Sequence, residues 1–246
     1  VALSGDGADE LFKGYNRYTH GEKIWELLKN TPKSLKIVVK FLLKIGCSVN
    51  LDILQFLLPK ISRIPDLNIK LHKILHSFEA SSDYDFYSKL ISRNNGSIDL
   101  IKYKSNTIHD AVFSDVAGLT YSDQMAIWDF LTYLPNDILT KVDRSSMAYS
   151  LEMRSPFLDN EIIDFSWGVS RASISKNKNS KWPIKQLTHK YVPKRLMERP
   201  KQGFGFPLGE WLCGPCRGWA EDLLQYQSPM VSKFINKDSE RKMWLK

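Results

Sequence analysis

The stretch that decides the fold is Leu3-Ser-Gly-Asp-Gly-Ala-Asp-Glu-Leu-Phe-Lys-Gly-Tyr-Asn-Arg-Tyr18. The apolar residues that lead into it read as the end of a buried strand, so the sequence predicts a strand, a turn and a helix. Gly5 and Gly7 would allow a tight turn and a close approach of the backbone to a ligand. Asp9 and Glu10 fall in the first helical turn, where the helix dipole favours carboxylates. Acidic residues at a glycine-rich turn favour a site for a metal–phosphate complex.

A purely structural turn explains the same residues. Glycines and acidic side chains are common where a strand leads into a helix, and Asp9 would then be a helix cap. Spacing alone leaves both interpretations open.

The bulk composition is that of one sizeable domain, or of a domain with a subdomain. The chain has 246 residues, 43% of them hydrophobic, and a formal net charge of +8. This charge suits an anionic small molecule, nucleic acid or an anionic membrane surface, and it does not choose between them. We expect no membrane span, because no apolar run reaches the ~20 residues required. Three cysteines argue against a disulfide framework. We therefore expect a cytoplasmic protein, and the first residue, Val1, indicates a fragment of a longer chain.

The opening motif also resembles a known family. Residues 4–15 are similar to the second signature of the synthetase domain of glutamine-hydrolysing asparagine synthetases. The resemblance implies that Asp9 is a Mg²⁺ ligand and that Glu10 orients it, so Glu10 and Asp6 become catalytic candidates. The residues that it implies line the nucleotide or adenylate are Ser4, Gly5 and Asp6.

A second informative stretch, residues 134–159, carries charged side chains around the small residues 145–148. Buried charges need partners or water, so the cluster indicates either a site or a structural salt-bridge network. It resembles the family signature Asp-Arg-x-Ser-Met-Ala…Glu-x-Arg-x-Pro-Phe-Leu-Asp. The resemblance implies a supporting role for Lys141, Asp143, Arg144, Glu152 and Arg154. A salt-bridge cluster remains the alternative for Glu152 and Arg154.

Lys181 is one of five lysines within residues 176–191. It stands near the start of a predicted helix, where an ammonium group opposes the dipole unless an anion lies nearby. A solvated lysine is the structural alternative. The stretch resembles the family motif Gly-Lys-aromatic-x-x-Arg, which implies that Lys181 is the cationic catalyst of adenylation. Ser180 replaces the usual glycine, and Lys185 replaces the usual arginine and loses its bidentate fork.

Two later motifs complete the sequence predictions. Residues 199–207 are a basic loop with glycines that resembles a family stretch, and Lys201 is its candidate for a phosphate contact. Cys213-Gly-Pro-Cys216 has the dithiol spacing of thioredoxins. A working dithiol needs a buried strand before it and a helix after it, and the residues before Cys213 read as a loop and a short helix. We therefore interpret the motif as a turn between helices.

The resemblance implies an adenine nucleotide α-hydrolase type of α/β fold, a doubly wound parallel sheet with helices on both faces. This chain would supply the last core strand at its N-terminus and would otherwise be mostly α-helical. We expect residues 1–25 to end the nucleotide-binding core, 26–120 to form a helical insertion, and 121–246 to form a C-terminal helical portion with site motifs. Helices are predicted over 22–30 and 83–93 and from residue 122 to an interruption at Pro135. No strand is predicted after residue 4.

The implied reaction is an ATP-dependent amidation. ATP, with Mg²⁺, would activate a carboxylate, either aspartate or a related acid such as a sugar acid, and release pyrophosphate. Ammonia from glutamine, made by an N-terminal glutaminase domain, would then displace AMP. Neither the family's Ser-Gly-Gly-x-Asp-Ser phosphate loop nor an N-terminal nucleophilic cysteine is in this sequence, so we expect the chain alone to be inactive. The full-length protein is a candidate homodimer.

Two other classes of function compete with this one. A basic nucleic-acid-binding module fits the charge, but the sequence lacks a recognised binding motif, so no specific nucleic acid is expected. A redox protein would need the two cysteines to form a working couple.

Overall fold

The computed structural model describes residues 1–32, 34–38, 40–41, 75–92, 116, 118–169, 171–174, 180–197, 207–226 and 229–244. Within these ranges the chain is mostly helical and contains one small parallel sheet, which confirms the expected helical character. Backbone contacts divide the chain into two compact units. The first comprises Val1–Ser92 and His109–Pro193, and the second comprises Arg93–Ile108 and Lys194–Lys246. Most of the predicted insertion over 26–120 lies outside the described residues.

The chain opens with the predicted strand, turn and helix, but the expectation that the strand is buried is wrong, because Val1 is 76% and Leu3 is 72% exposed. Strand β1 (Ala2–Leu3) leads into α1 (Ala8–Leu11), and α2 (Asn16–Asn30) follows. Gly7 is the N-cap of α1 and has a φ of 86°, a conformation that glycine adopts without strain. A Cβ at Gly7 would also lie 2.5 Å from Leu158 Cδ2. Gly5 differs from Gly7, because its backbone is not left-handed and a Cβ there would meet nothing within 4 Å. The expected approach of a ligand to the Gly5 backbone stays a prediction.

A second strand, which the sequence analysis missed, lies beside the first. Strand β2 (Met153–Arg154) pairs with β1 in parallel, with Ala2 opposite Met153 and Leu3 opposite Arg154. The Ser4 N–H donates to the Arg154 carbonyl at 2.9 Å. Two residues are too few to show the alternation by which a strand is recognised. The sheet therefore brings residues 152–155 beside the glycine-rich turn.

The main core lies between α2, α3 (Asp83–Ile91) and α4 (Tyr121–Trp128). The Trp25 and Phe86 rings stack with their centroids 4.6 Å apart, and Tyr121 lies against both. In α2 the buried positions recur at helical spacing, and they are Tyr18, Gly21, Trp25 and Leu28. Helices α3 and α4 begin at Ser82 and Thr120, whose hydroxyls accept from backbone N–H groups three residues later. The predictions over 22–30 and 83–93 are thus confirmed, with α2 starting earlier, at Asn16.

The predicted interruption at Pro135 is wrong. Helix α4 runs directly into a π-helical segment (Asp129–Leu139) and then into α5 (Thr140–Met147). Proline disrupts an α-helix because it lacks an N–H and its ring meets the carbonyl four residues earlier. The wider π turns pair each N–H with the fifth preceding carbonyl, which gives the ring room. The Thr140 hydroxyl donates to the Pro135 carbonyl at 2.8 Å.

Shorter elements make up the rest of the described chain. In the first unit they are a 3-10 turn (Pro156–Leu158), α6 (Asn160–Gly168), α7 (Arg171–Ile174) and α8 (Trp182–Thr188). In the second unit they are α9 (Lys194–Met197), α10 (Leu208–Cys213), α11 (Arg217–Gln225), α12 (Pro229–Phe234) and α13 (Lys237–Trp244). Among the helices within the described ranges, none combines the length and apolar character needed to cross a bilayer.

Candidate functional site

An ion pair joins the opening turn to the start of α8. Lys181 Nζ lies 2.8 Å from Asp9 Oδ1, with 24% of the lysine side chain and 32% of the aspartate side chain exposed. The expected position of Lys181 at a helix start is confirmed, because Lys181 is the N-cap of α8. The anion that lies beside its ammonium group is Asp9, and the catalytic role of Lys181 stays a prediction. The pair is accessible enough to meet a ligand and sheltered enough to hold one geometry.

The backbone around Lys181 is fixed as well. Lys181 has a φ of 56° and a ψ of 33°, a left-handed conformation that is uncommon for residues other than glycine. Its N–H donates to the Phe12 carbonyl at 3.1 Å. Held backbones of this kind concentrate at functional sites.

Gly14 lies directly beneath the ion pair. It is buried, and its N–H donates to the Asp9 carbonyl at 2.7 Å. A Cβ built on Gly14 would lie 2.7 Å from Asp9 Cγ and would overlap both Asp9 Oδ1 and Lys181 Cε. Only a residue without a side chain leaves this space to the two charged groups.

The first candidates of the motif lie on the connection between β1 and α1. Ser4 is held by its backbone bond to β2, and the Ser155 hydroxyl donates to the Asp6 carbonyl. Gly5 is exposed and has open space where a Cβ would stand. The parallel pairing thus holds this connection from one side.

Glu10 faces the interior. It is 1% exposed, and its Oε1 accepts from the Tyr15 hydroxyl at 2.9 Å, while Oε2 is buried without a hydrogen-bond partner among the described residues. Burial raises the pKa of the Glu10 carboxyl above its ordinary value, and the nearby Asp9 charge adds to this effect. Burial and the Glu10 carboxylate also raise the pKa of Tyr15. The hydrogen bond to Tyr15 ties α1 to the start of α2.

The fully buried carboxylate of Asp129 accepts several hydrogen bonds from α2 and α3. It is 0% exposed and accepts from Arg17 Nε at 2.9 Å, Arg17 Nη2 at 2.6 Å and the Tyr18 hydroxyl at 2.5 Å. The Tyr87 hydroxyl is a further donor. Burial opposes the charged form of Arg17, but the Asp129 carboxylate outweighs it and raises the pKa of Arg17. One carboxylate therefore fixes side chains from α2 and α3.

Arg17 links this buried carboxylate to the candidate site. Its guanidinium carbon lies 4.2 Å from the centroid of the Tyr15 ring and 5.0 Å from that of Tyr133, distances typical of cation–π contacts. Since Tyr15 bonds to Glu10, a continuous set of contacts runs from Asp129 to the turn that carries Asp9. Gly14, Arg17 and Asp129 are not among the site residues predicted from the sequence. For Asp129, the available signal is a carboxylate inside an apolar helical pattern.

Lys13 holds the same turn from another direction. Its φ is 52°, and its Nζ lies 2.8 Å from Asp123 Oδ1 and donates to Ser122 Oγ at 2.9 Å. Both acceptors lie on α4. The residues that surround Gly14 are therefore anchored to the main core.

The remaining charged candidates have different settings. Arg154, on β2, and Glu152, beside it, are exposed and form an ion pair at 2.8 Å. The hydrogen bond from Arg154 lowers the pKa of the Glu152 carboxyl. This is the salt bridge of the structural alternative. Lys141, Asp143 and Arg144 are all exposed on α5, and Lys141 lines an open depression with Met153 of β2. Lys201 lies outside the described residues.

The two cysteines of the Cys-Gly-Pro-Cys motif occupy a turn between helices, as predicted. Helix α10 ends at Cys213, and Cys216 is the N-cap of α11. The Cys216 N–H donates to the Trp211 carbonyl at 2.8 Å. Both thiols are free, and the element before them is a helix rather than the strand that a thioredoxin-type motif requires.

Asp9 is a partly exposed carboxylate that lies beside the ammonium group of Lys181. Across the described ranges, no group of three or more His, Cys, Asp or Glu side chains is placed to hold a metal. Mg²⁺ usually binds one or two carboxylates and completes its shell with substrate phosphates and water. A single accessible carboxylate such as Asp9 is compatible with this mode of binding, and its assignment as a Mg²⁺ ligand stays a prediction.

Comparison with known proteins gives a consistent match. A sequence model of the asparagine synthase family matches residues 1–246. Asparagine synthetase (glutamine-hydrolyzing) 1 of Bacillus subtilis is 29% identical over 250 residues, 97% of this chain and 35% of that protein. Putative asparagine synthetases of Mycobacterium bovis and Mycobacterium tuberculosis are each 28% identical over 227 residues, 89% of this chain and 32% of theirs. The chain thus spans about a third of the length of these relatives. No solved structure matches it.

Proposed function

The chain belongs to the asparagine synthase family, and from this we propose that it forms part of the synthetase site of an ATP-dependent amidotransferase. The protein would use ATP to adenylate a carboxylate, either aspartate or a related acid, and would transfer glutamine-derived ammonia to make an amide, with AMP and pyrophosphate as the other products. The relatives are named glutamine-hydrolysing asparagine synthetases, which supports this class of reaction.

The observation that carries the proposal is the ion pair between Asp9 and Lys181, 2.8 Å apart. Adenylation moves negative charge onto the phosphoryl oxygens and the leaving pyrophosphate, so a cation fixed in advance lowers the barrier. Lys181 has such a fixed position, because its backbone is tethered to Phe12 and its ammonium group to Asp9. We assign to Lys181 the stabilisation of this developing charge.

Asp9 is the residue we assign to Mg²⁺. When bound, the ion would neutralise charge on the polyphosphate. Glu10, buried against Tyr15, would hold the turn that orients Asp9 rather than contact substrate. We therefore propose a positioning role for Glu10 in place of the catalytic role that the family resemblance implies.

The nucleotide or adenylate would lie along the connection between β1 and α1. This connection contains Ser4, Gly5 and Asp6. The open space beside Gly5 leaves room for a ligand next to the backbone. Asp6 remains a catalytic candidate by resemblance.

The fold-level proposal follows the same family. Residues 1–25 would end an adenine nucleotide α-hydrolase core, 26–120 would be a helical insertion, and 121–246 would carry the later motifs. Lys141, Asp143, Arg144, Glu152 and Arg154 would be supporting charges, and Lys201 would contact phosphate. A glutaminase domain would supply ammonia in the full-length protein, which we propose to be a homodimer.

Acid-dependent exchange between ATP and pyrophosphate tests the proposal in the full-length protein. We expect exchange with aspartate or a related acid, dependent on Mg²⁺ and lost in Asp9→Asn. Asp164→Asn, an exposed aspartate on α6, is the matched control and should keep the native rate. The assignment would be overturned if none of a panel of amino and sugar acids supported exchange. It would also be overturned if Asp9→Asn kept the full exchange rate.

A further inference from the structure

We propose that Gly14 is a positioning residue for the pair of Asp9 and Lys181, and that its lack of a side chain sets the distance between these two groups. This inference deepens the proposed function and rests on it for its catalytic meaning. The geometric part, that Gly14 controls the pair, stands on contacts in the first unit alone.

The requirement for glycine at this position is steric. Gly14 is not left-handed, since the glycines with positive φ among the described residues are Gly7 and Gly118. An alanine would therefore fit the backbone, and its whole effect would come from the added methyl group. That group would overlap Asp9 Oδ1 and Lys181 Cε.

The atoms nearest to the added methyl group belong to the side chains of Asp9 and Lys181 and not to the backbone. Asp9 and Lys181 are partly exposed, so both can rotate away from a methyl group toward solvent while the helices stay in place. The expected result is a folded protein in which the ion pair is broken. This separates Gly14 from Gly7, where a Cβ would strain a left-handed backbone and strike the buried side of Leu158.

The turn keeps Gly14 from moving to relieve the overlap. The Gly14 N–H is bonded to the Asp9 carbonyl, the Phe12 carbonyl accepts from Lys181, and Lys13 is paired with Asp123. On the other side of Gly14, the Tyr15 hydroxyl donates to Glu10. Because the residues on both sides are held, the added methyl group should displace the charged side chains and not the loop.

A double-mutant cycle between Asp9 and Lys181, measured with and without Gly14→Ala, tests the inference in the 246-residue chain. Asp9→Asn, Lys181→Met and their combination are compared by urea unfolding in the native and the Gly14→Ala backgrounds. In the native background we expect the pair to change the unfolding equilibrium constant by about threefold, the range of partly exposed ion pairs. In the Gly14→Ala background the coupling should disappear. Undiminished coupling there would overturn the inference.

A chemical readout reports on Lys181 directly. Acetic anhydride modifies free lysine amines, and the modification of Lys181 is quantified by mass spectrometry. Gly14→Ala should accelerate it as much as Asp9→Asn does, while Gly168→Ala, where a Cβ meets nothing within 4 Å, should leave the native rate. An unchanged rate in Gly14→Ala would contradict the proposed displacement.

Failure to fold is also informative. If Gly14→Ala does not fold, Asp9→Ala and Lys181→Ala together should restore folding, because they remove the three atoms that lie nearest to the added methyl group. A triple variant that stays unfolded, beside a folded Asp9→Ala/Lys181→Ala control, would overturn the steric argument. If Gly14→Ala loses the coupling but keeps full ATP–pyrophosphate exchange in the full-length protein, the geometric role of Gly14 is supported and the catalytic role of the Asp9–Lys181 pair is overturned. If the native full-length protein shows no acid-dependent exchange, the proposed function is overturned and the geometric role of Gly14 still stands.

Discussion

Asp9 and Lys181 meet at 2.8 Å even though one belongs to the first helix of the chain and the other to the N-terminal end of α8. Their meeting depends on Phe12, whose carbonyl binds the Lys181 backbone, and on Gly14, which leaves space for both side chains. The opening motif is therefore both a source of site residues and the support on which a distant lysine is placed.

Replacement of Lys181 by methionine should abolish most of the adenylation activity of the full-length protein. The variant keeps the length of the side chain and removes the charge, and a single stabilising group of this kind is worth about 10²–10³ in rate. Acid-dependent ATP–pyrophosphate exchange measures the loss. Lys190→Met, an exposed lysine that follows α8, should retain the native rate. Equal rates for the two variants would show that Lys181 does not act in this step.

Removal of the buried charge at Asp129 should destabilise the first unit strongly. In Asp129→Asn the partly buried Arg17 loses its ionic partner, and breaking a buried pair from one side costs about 3–5 kcal/mol. Urea unfolding gives the free energy of unfolding for the variant and the native chain.

The double variant Arg17→Met/Asp129→Asn provides the control for this prediction. Because both charges are then absent, we expect it to lose less stability than the sum of the single variants. Additive losses would show that the two side chains are not energetically coupled.

Glu10 should make the chain less stable as the pH rises. Burial raises its pKa in the folded state above the ordinary value of 4.5, so the folded state binds this proton more tightly than the unfolded state does. The resulting stabilisation is fully present below pH 4.5 and is lost as the pH rises through the folded-state pKa. Glutamine does not titrate, so Glu10→Gln loses no stability from this group as the pH rises. The free energy of unfolding of the variant should therefore increase relative to that of the native chain over this pH range.

Urea unfolding at a series of pH values measures this difference. Glu161→Gln, which changes an exposed glutamate on α6, should follow the native pH dependence. A constant difference between Glu10→Gln and the native chain at all pH values would contradict the role of burial at Glu10.

Replacement of both Cys213 and Cys216 by serine should leave the protein nearly unchanged. The two residues cap and end helices in a turn, and surface substitutions of this kind usually change stability by no more than about 0.5 kcal/mol. Thermal unfolding and exchange activity, each with and without a reductant, measure the effect. A reductant-dependent activity that the double variant lacks would revive the redox interpretation.

Local sequence was sufficient for several features because their causes lie within a few residues. The left-handed turn at Gly7, the carboxylates at the start of α1 and the turn at Cys213 all follow from short-range sterics and hydrogen bonds. Pro135 is the exception. A π-helical turn is rare, and it forms here within a longer helix whose packing on the core the local pattern does not reveal.

The sequence motifs were sufficient to identify the family and the candidates Asp9, Glu10 and Lys181, because short motifs keep the residue types that the chemistry needs. Tertiary structure decided where these side chains lie: Lys181 meets Asp9, and Glu10 is buried against Tyr15. It also supplied β2, Gly14 and Asp129, whose importance depends on residues far away in sequence. The physical reason is that a close approach and a buried ion pair are properties of two segments at once, and a sequence pattern describes only one segment at a time.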